Sequence, residues 1–257
     1  MADPSPGCGT LRRPDHVSIL HEPLLQDGAG ERWDLVAYAP ETYDSFIWEL
    51  ERRTLVAVVR RLAAGRPALK YLDFACGTGR VLSAVEELVG TAHGLDISPA
   101  MVRVAARKSP RAGIRVGDLL TEPDTADRDY DLITAFRFFL NAEPPLRLPY
   151  LRQLGSRLHD ADSRLIFNVH SNAASLDGLA GRFSKDERMW VRDIRKFIAD
   201  AGLELVEWYG FGLMPACRQR LRHLRPLMRM LDRLATLAPW LRHLSRDLIF
   251  VCAPGER

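Results

Sequence analysis

The feature that most constrains the fold is an alternation, kept almost without exception from residue 68 to residue 253, of short apolar runs with stretches of helical period. The runs are ALKYLDF (68–74), AHGLD (92–96), GIRV (113–116), YDLITAF (130–136), RLIFNVH (164–170), LELVEWYGF (203–211) and DLIFVCA (247–253). Between them lie helical patterns over about 79–89, from SPAM (98–101) onward, over about 145–159 and over about 190–201. Neighbouring parallel strands need a crossover connection, usually a helix, so the alternation predicts an α/β protein with a doubly wound sheet. Such sheets bind ligands beyond the carboxyl ends of their strands, where strand order reverses. Residues that directly follow strands are therefore the places to look for chemistry.

Ahead of the alternation, Phe46, Ile47, Leu50, Leu55, Val58, Val59 and Leu62 recur at helical spacing and stop at Gly65 and Pro67, which predicts a long amphipathic helix. Residues 1–32 are rich in Pro, Gly and charge and show no sustained period, so residues 1–40 read as a loose arm and 41–257 as one domain. With 257 residues, 47% of them hydrophobic, the chain can bury one sizeable core. No apolar run approaches the roughly 20 residues that span a bilayer, and the opening MADPSPGCGTLRRPDH has no secretory apolar segment, so a soluble cytoplasmic protein is the expectation. Cys8, Cys76, Cys217 and Cys252 contain no Cys-x-x-Cys pair, which argues against a disulfide framework and a structural zinc site.

The first run ends in Asp73-Phe74-Ala75-Cys76-Gly77-Thr78-Gly79-Arg80 and passes straight into a helical pattern. Small residues there let the backbone turn sharply and let a ligand approach its N–H groups. The spacing is neither Gly-x-Gly-x-x-Gly nor a phosphate loop with Gly-Lys-Ser/Thr. Two acids follow in register. Asp96 closes the second run in GLDIS, where a carboxylate can accept from both ribose hydroxyls, and Asp118 follows the third in VGDLL, within reach of an adenine amino group. Each acid alone reads equally as an N-cap or a solvated loop residue. The coincidence of all three after successive strands carries the functional reading.

On DFACGTGR, GLDIS, GDLL and YDLITAFRFFLN, the stretch from about Ala68 to Cys252 resembles a class I S-adenosylmethionine-dependent methyltransferase. The resemblance implies a Rossmann-like, seven-stranded sheet with the last strand antiparallel, and S-adenosylmethionine as cofactor. It implies that Asp73, Ala75, Cys76, Gly77 and Gly79 line the methionine and ribose part of the site. Asp96 and Ile97 would hold the ribose and flank the adenine, Asp118 and Leu119 would face the adenine, and Phe136 would lie beside the methionine moiety. Two departures from the family stand out: Ala75 replaces the first glycine of Gly-x-Gly-x-Gly, and residues 213–246 stand where the family has a short hairpin turn.

A sulfonium is already an activated methyl donor, so the enzyme's task is to hold a nucleophile in line and exclude water. Groups that could assist should follow the fourth and fifth strands: Arg137, Asn141, Glu143, His170 and Asn172. His170 has an ordinary pKa of about 6.5 and is the candidate general base, or a strand-end histidine bonded to backbone. Arg137 would pair with an acidic substrate or with Glu143. Tyr38 and Tyr43 resemble the aromatic lid that many of these enzymes close from the amino-terminal side. No Asp-Pro-Pro-Tyr motif follows the fourth strand, which disfavours amino-methylation of nucleic acid, and there is no His/Asp metal pair like that of catechol methyltransferases.

Net charge is +3, but residues 217–246 hold eight arginines and one acid, so the rest of the chain sums to −4. There Leu221, Leu224, Leu227, Met228, Leu231 and Leu234 share one helical face, and Pro226 and Pro239 divide the segment into short helices. Three readings stay open for this helical insertion: an appendage packed on the core, a lid over an anionic acceptor, or peripheral membrane contact. The expected function is methylation of O, N or C on a small-molecule acceptor, with anionic and lipidic acceptors among the candidates, in specialised or lipid-linked metabolism, with no nucleic-acid partner. The rival is a non-catalytic S-adenosylmethionine-binding protein that docks a membrane or partner through the insertion.

Overall fold

The computed structural model describes residues 42–184, 188–213, 226–227, 230–231 and 240–255. The arm (1–40), Tyr38 and most of the basic insertion, including Arg218, Arg222 and Arg225, lie outside the described residues.

Seven strands form one sheet: β1 (Lys70–Phe74), β2 (Thr91–Asp96), β3 (Gly113–Val116), β4 (Leu132–Ala135), β5 (Arg164–Val169), β6 (Leu203–Phe211) and β7 (Asp247–Pro254). Their order is β3-β2-β1-β4-β5-β7-β6, with β7 antiparallel to both of its neighbours and the other pairings parallel. Strand order reverses between β1 and β4, so the carboxyl ends of β1, β2, β3, β4 and β5 define the edge where a ligand belongs. The antiparallel insertion of β7 brings Asp247, its first residue, to that same edge.

Six helices accompany the sheet among the described residues: α1 (Tyr43–Gly65), α2 (Arg80–Val85), α3 (Pro99–Lys108), α4 (Pro144–Gly155), α5 (Leu176–Leu179) and α6 (Val191–Asp200). Helix α1 starts where Thr42 caps it, the hydroxyl accepting from Ser45 N–H at 3.1 Å. Helix α3 starts at Ser98, capped the same way, with Pro99 in its first turn. Two apolar layers cover the two faces of the sheet. One packs Phe46, Ile47, Leu55, Val58 and Val59 of α1 and Val81, Leu82 and Val85 of α2 against Tyr71, Leu132, Ile166 and Ile249. The other packs Tyr150, Leu151 and Leu154 of α4 and Ile194 and Ile198 of α6 against Phe167, Leu248 and Phe250. Among the described residues no helix is long and apolar enough to cross a membrane.

Candidate active site

The turn after β1 is built from three residues in the left-handed region: Ala75 (φ 54), Gly77 (φ 54) and Gly79 (φ 78). Ala75, in the place of the family's first glycine, keeps the conformation that glycine would supply, at a cost of about 1–2 kcal/mol for its Cβ. The turn is tied to β2 by Cys76 N–H donating to Leu95 O at 3.0 Å and closed by Gly79 N–H donating to Cys76 O at 2.9 Å. The Cys76 side chain is buried, and burial pushes its thiol well above its ordinary range, so it enters the site through its backbone.

Asp96 is the hinge between this turn and the next. Its Oδ2 accepts from Gly77 N–H at 2.8 Å and its Oδ1 from Ser98 N–H at 2.8 Å. Burial raises its pKa, and these backbone bonds act in the opposite direction. Each oxygen thus accepts from backbone, and a carboxylate oxygen has a further lone pair with which to meet a ribose hydroxyl. Asp118 receives both Tyr150 O–H at 2.5 Å and Leu120 N–H at 2.9 Å on Oδ1, which leaves Oδ2 without a partner among the described residues.

Between the two acids lies a concave cavity. Its wall includes Ala75, Asp96, Ile97 and Asp118, together with Phe74, Leu95, Gly117, Phe138 and Tyr150. Phe74, Phe138 and Tyr150 form an aromatic floor with ring centroids 4.7, 4.9 and 5.5 Å apart. An apolar slot with a carboxylate at either end suits an adenosine group: the flat base against the rings, the ribose against Asp96.

Six of the ten residues anticipated at the cofactor do not line this cavity: Cys76, Gly77 and Gly79 of the turn, and Asp73, Leu119 and Phe136. Leu119 is fully buried in the α4-side layer beneath the cavity floor, and Phe136 is buried in the α1-side layer, edge-on to Trp48 at 6.4 Å. Asp73 is also buried. Its Oδ1 accepts from Thr134 Oγ1 at 2.7 Å, and burial lifts its pKa to about 7 against an ordinary 3.8. It braces the turn from below the α2 side rather than lining this cavity. Phe138 and Tyr150, which do line it, were legible only as apolar positions of a loop and a helix.

Tyr43, Arg137 and His170 are gathered at the β4–β5–β7 end of the sheet. Tyr43 O–H donates to Asp247 Oδ2 at 3.1 Å, and the Arg246 guanidinium lies over the Tyr43 ring at 4.8 Å. Arg137 Nη1 is 3.5 Å from Asp44 Oδ1 on α1, and its charge also acts on Asp247. His170 Nδ1 is buried without a hydrogen-bond partner, and burial, then Arg137 and Arg246, hold the ring well below its ordinary 6.5. The imidazole is therefore neutral across the physiological range, able to accept a proton but weakly basic. Asn172 is structural: its Nδ2 donates to His243 O at 2.8 Å and Ser245 O at 2.7 Å.

Burial raises Asp247 to about 7, against an ordinary 3.8, with Arg137 and Arg246 acting in the opposite direction. A carboxyl raised on folding contributes stability that is present below its unfolded pKa and lost as pH rises through its folded one. Asp247→Asn should therefore gain on the wild type in urea denaturation between pH 5 and 7, by at most about 1.4 kcal/mol per pH unit. A difference independent of pH would show that the carboxyl is ionised throughout.

Residues 72–160 match a family described as a methyltransferase domain. The match runs from β1 to the loop before β5, on a Rossmann-like seven-stranded sheet of order β3-β2-β1-β4-β5-β7-β6. Over 69 residues it is 39% identical to the dTDP-3-amino-3,6-dideoxy-alpha-D-glucopyranose N,N-dimethyltransferase of Streptomyces fradiae, covering 27% of this chain and 26% of that protein. Over 152 residues it is 34% identical to the 23S rRNA (guanine(748)-N(1))-methyltransferase of the same organism, covering 58% of this chain and 52% of that one. The chain thus spans between about a quarter and about half the length of these curated relatives. Its fold is similar to that of magnesium protoporphyrin IX methyltransferase from Synechocystis PCC 6803 with bound S-adenosylmethionine, at 18% identity and TM-score 0.57, over 88% of this chain and 90% of that one.

Proposed function

We propose that the protein transfers the methyl group of S-adenosylmethionine to a small-molecule acceptor held between α1 and the ends of β4, β5 and β7. The observation that carries this reading is the division of the sheet edge into two ends. The Asp96–Asp118 cavity suits an adenosine group, and the neighbouring polar cluster of half-buried Tyr43, Arg137 and His170 with buried Asp247 lies outside that cavity. S-adenosylmethionine supplies the activated methyl. The chain's own residues then have to bind its ribose, seat the acceptor and take up a proton. Arg137 and Tyr43 are the seating groups, and His170, held neutral, is the proton acceptor. Nitrogen is the acceptor atom favoured by the relatives, whose names describe methylation of an amino sugar and of a guanine. A small molecule is favoured over RNA because AFRFFLN, after the fourth strand, lacks the Asp-Pro-Pro-Tyr motif of nucleic-acid amino-methylating enzymes.

The test is release of S-adenosylhomocysteine from S-adenosylmethionine in the presence of nucleotide-linked amino sugars, small phenols, anionic lipid vesicles or a 23S rRNA fragment. Turnover with a small molecule is expected, and turnover with the RNA alone would overturn the reading. Cofactor binding with no turnover on any class would favour a binding protein. With a working acceptor, His170→Ala should lower kcat by about a hundredfold and remove the acidic limb of the rate profile, which lies below pH 6.5. Cofactor affinity should stay unchanged. A profile of unaltered shape in His170→Ala would assign the histidine a packing role.

A further inference from the structure

A buried hydrogen-bond chain crosses from α1 to the turn after β4. Glu51, on the face of α1 that carries Ile47 and Leu55, is fully buried, and its Oε1 accepts from Asn168 Nδ2 at 2.8 Å. Asn168 is buried too, and its Oδ1 accepts from the backbone N–H of Arg137 at 2.6 Å. Arg137 has φ 58, a left-handed conformation that side chains with a Cβ rarely adopt.

We infer that Asn168 and Glu51 are positioning residues that lock the Arg137 turn in its left-handed conformation and so aim its guanidinium at the acceptor end, beside His170 and Asp247. The chemistry of the chain leaves little choice of residue. Position 168 must accept from a backbone N–H and donate to a carboxylate at once, which only a carboxamide of this length does. An aspartate would set a second negative charge against Glu51, and a leucine would leave the Arg137 N–H and the Glu51 oxygen buried and unpaired. The placement fits the sheet: β4 and β5 are adjacent, with Ala135 opposite Phe167, so Asn168 lies one residue beyond that pair, beside the turn. Asn168 and His170 are two apart on β5 and its extension and share a face, so the lock and the imidazole stand side by side. The carbonyl of Arg137 is held separately, by the exposed Asn141 side chain. The turn is thus pinned on both sides, and the anchor shielded from water is the one on its N–H.

The consequence for an acceptor rests on the proposed function, whereas the lock itself is read without acceptor or cofactor. Two NMR measurements on the labelled full chain test it: hydrogen exchange of the Arg137 amide and titration of the His170 ring. The charged groups acting on that ring are Arg137 after β4 and Arg246 just before β7, and both of these also face Asp247, which Tyr43 and Glu51 of α1 approach as well. In Asn168→Leu the Arg137 amide should exchange about tenfold faster relative to Thr134 and Phe167, the loss expected for one hydrogen bond. The His170 midpoint should rise toward its ordinary range as the guanidinium withdraws. Glu51→Gln keeps an oxygen for Asn168 Nδ2 and should leave both readouts near those of the wild type.

A folded Asn168→Leu with both readouts unchanged would overturn the inference. Should that variant not fold, Asn168→Ser is compared in the wild type and in Arg137→Gly, where glycine adopts the turn unaided. A smaller stability loss in the glycine background supports the lock, and equal losses overturn it. Absence of S-adenosylhomocysteine binding by the wild type, measured on the same samples, is a failure of the functional reading alone.

Discussion

Replacing Asp96 by alanine should weaken S-adenosylhomocysteine binding by about 2–4 kcal/mol, roughly 30- to 1,000-fold, in calorimetric titration. The expected size has two sources. Two ribose hydroxyls lose a carboxylate acceptor, and hydrogen bonds to a charged group are each worth about 1.5–3 kcal/mol. The backbone N–H groups of Gly77 and Ser98 lose their partner as well, which loosens the glycine turn and the cap position of α3 together. Asp96→Asn separates the two sources. Its amide oxygen can serve one N–H but its NH2 cannot accept, so it should fall between wild type and alanine. An unchanged affinity in Asp96→Ala would show that the cavity between Asp96 and Asp118 is not the cofactor's.

Gly79→Val should be the most damaging single change in the turn, costing roughly 3 kcal/mol or more of folding stability, because it combines two penalties. The residue sits at φ 78, where a β-branched side chain is strained. A Cβ there would also stand 2.9 Å from Ala105 Cα and 3.0 Å from Ala105 Cβ, so α3 would have to move away from the start of α2. Backbone gives way less readily than a flexible side chain, so the strain should also reach Asp96 and weaken cofactor binding. Gly77→Ala is the control: it shares a positive φ of 54 but its Cβ would meet nothing within 4 Å, so only the conformational penalty of about 1–2 kcal/mol remains. Chemical denaturation of the two variants reads the difference. Equal losses would mean that the approach of α3 carries no weight.

The two ends of the site were unequally legible in the sequence. The glycine turn, Asp96 and Asp118 follow their strands at short local spacing, and their use of backbone N–H groups depends on residues within about 20 positions of each other. Asp73 shows the limit of that reasoning. Its position in the motif was plain, yet its partner is Thr134, 61 residues away, and the resulting burial makes it a brace. Phe136 and Phe138 show a second limit. Two residues apart, they would share a face of an extended strand, yet they fall on opposite faces, because the left-handed turn at Arg137 (φ 58) lies between them.

What the sequence determined by itself is the alternation of strands and helices, the place of the glycine turn and the acids that follow the next two strands, since periodicity, glycine spacing and capping are local properties of the chain. The cluster of Tyr43, Arg137, His170 and Asp247 was decided by tertiary structure. Asp247 meets Tyr43 across 204 residues and Asn168 meets Glu51 across 117, because β7 enters the sheet antiparallel between β5 and β6 while α1 lies over the same edge. A buried carboxylate on an apolar helix face and an asparagine inside an apolar strand are visible in the sequence as exceptions to the pattern. That the two answer each other follows from strand order, which no local spacing encodes.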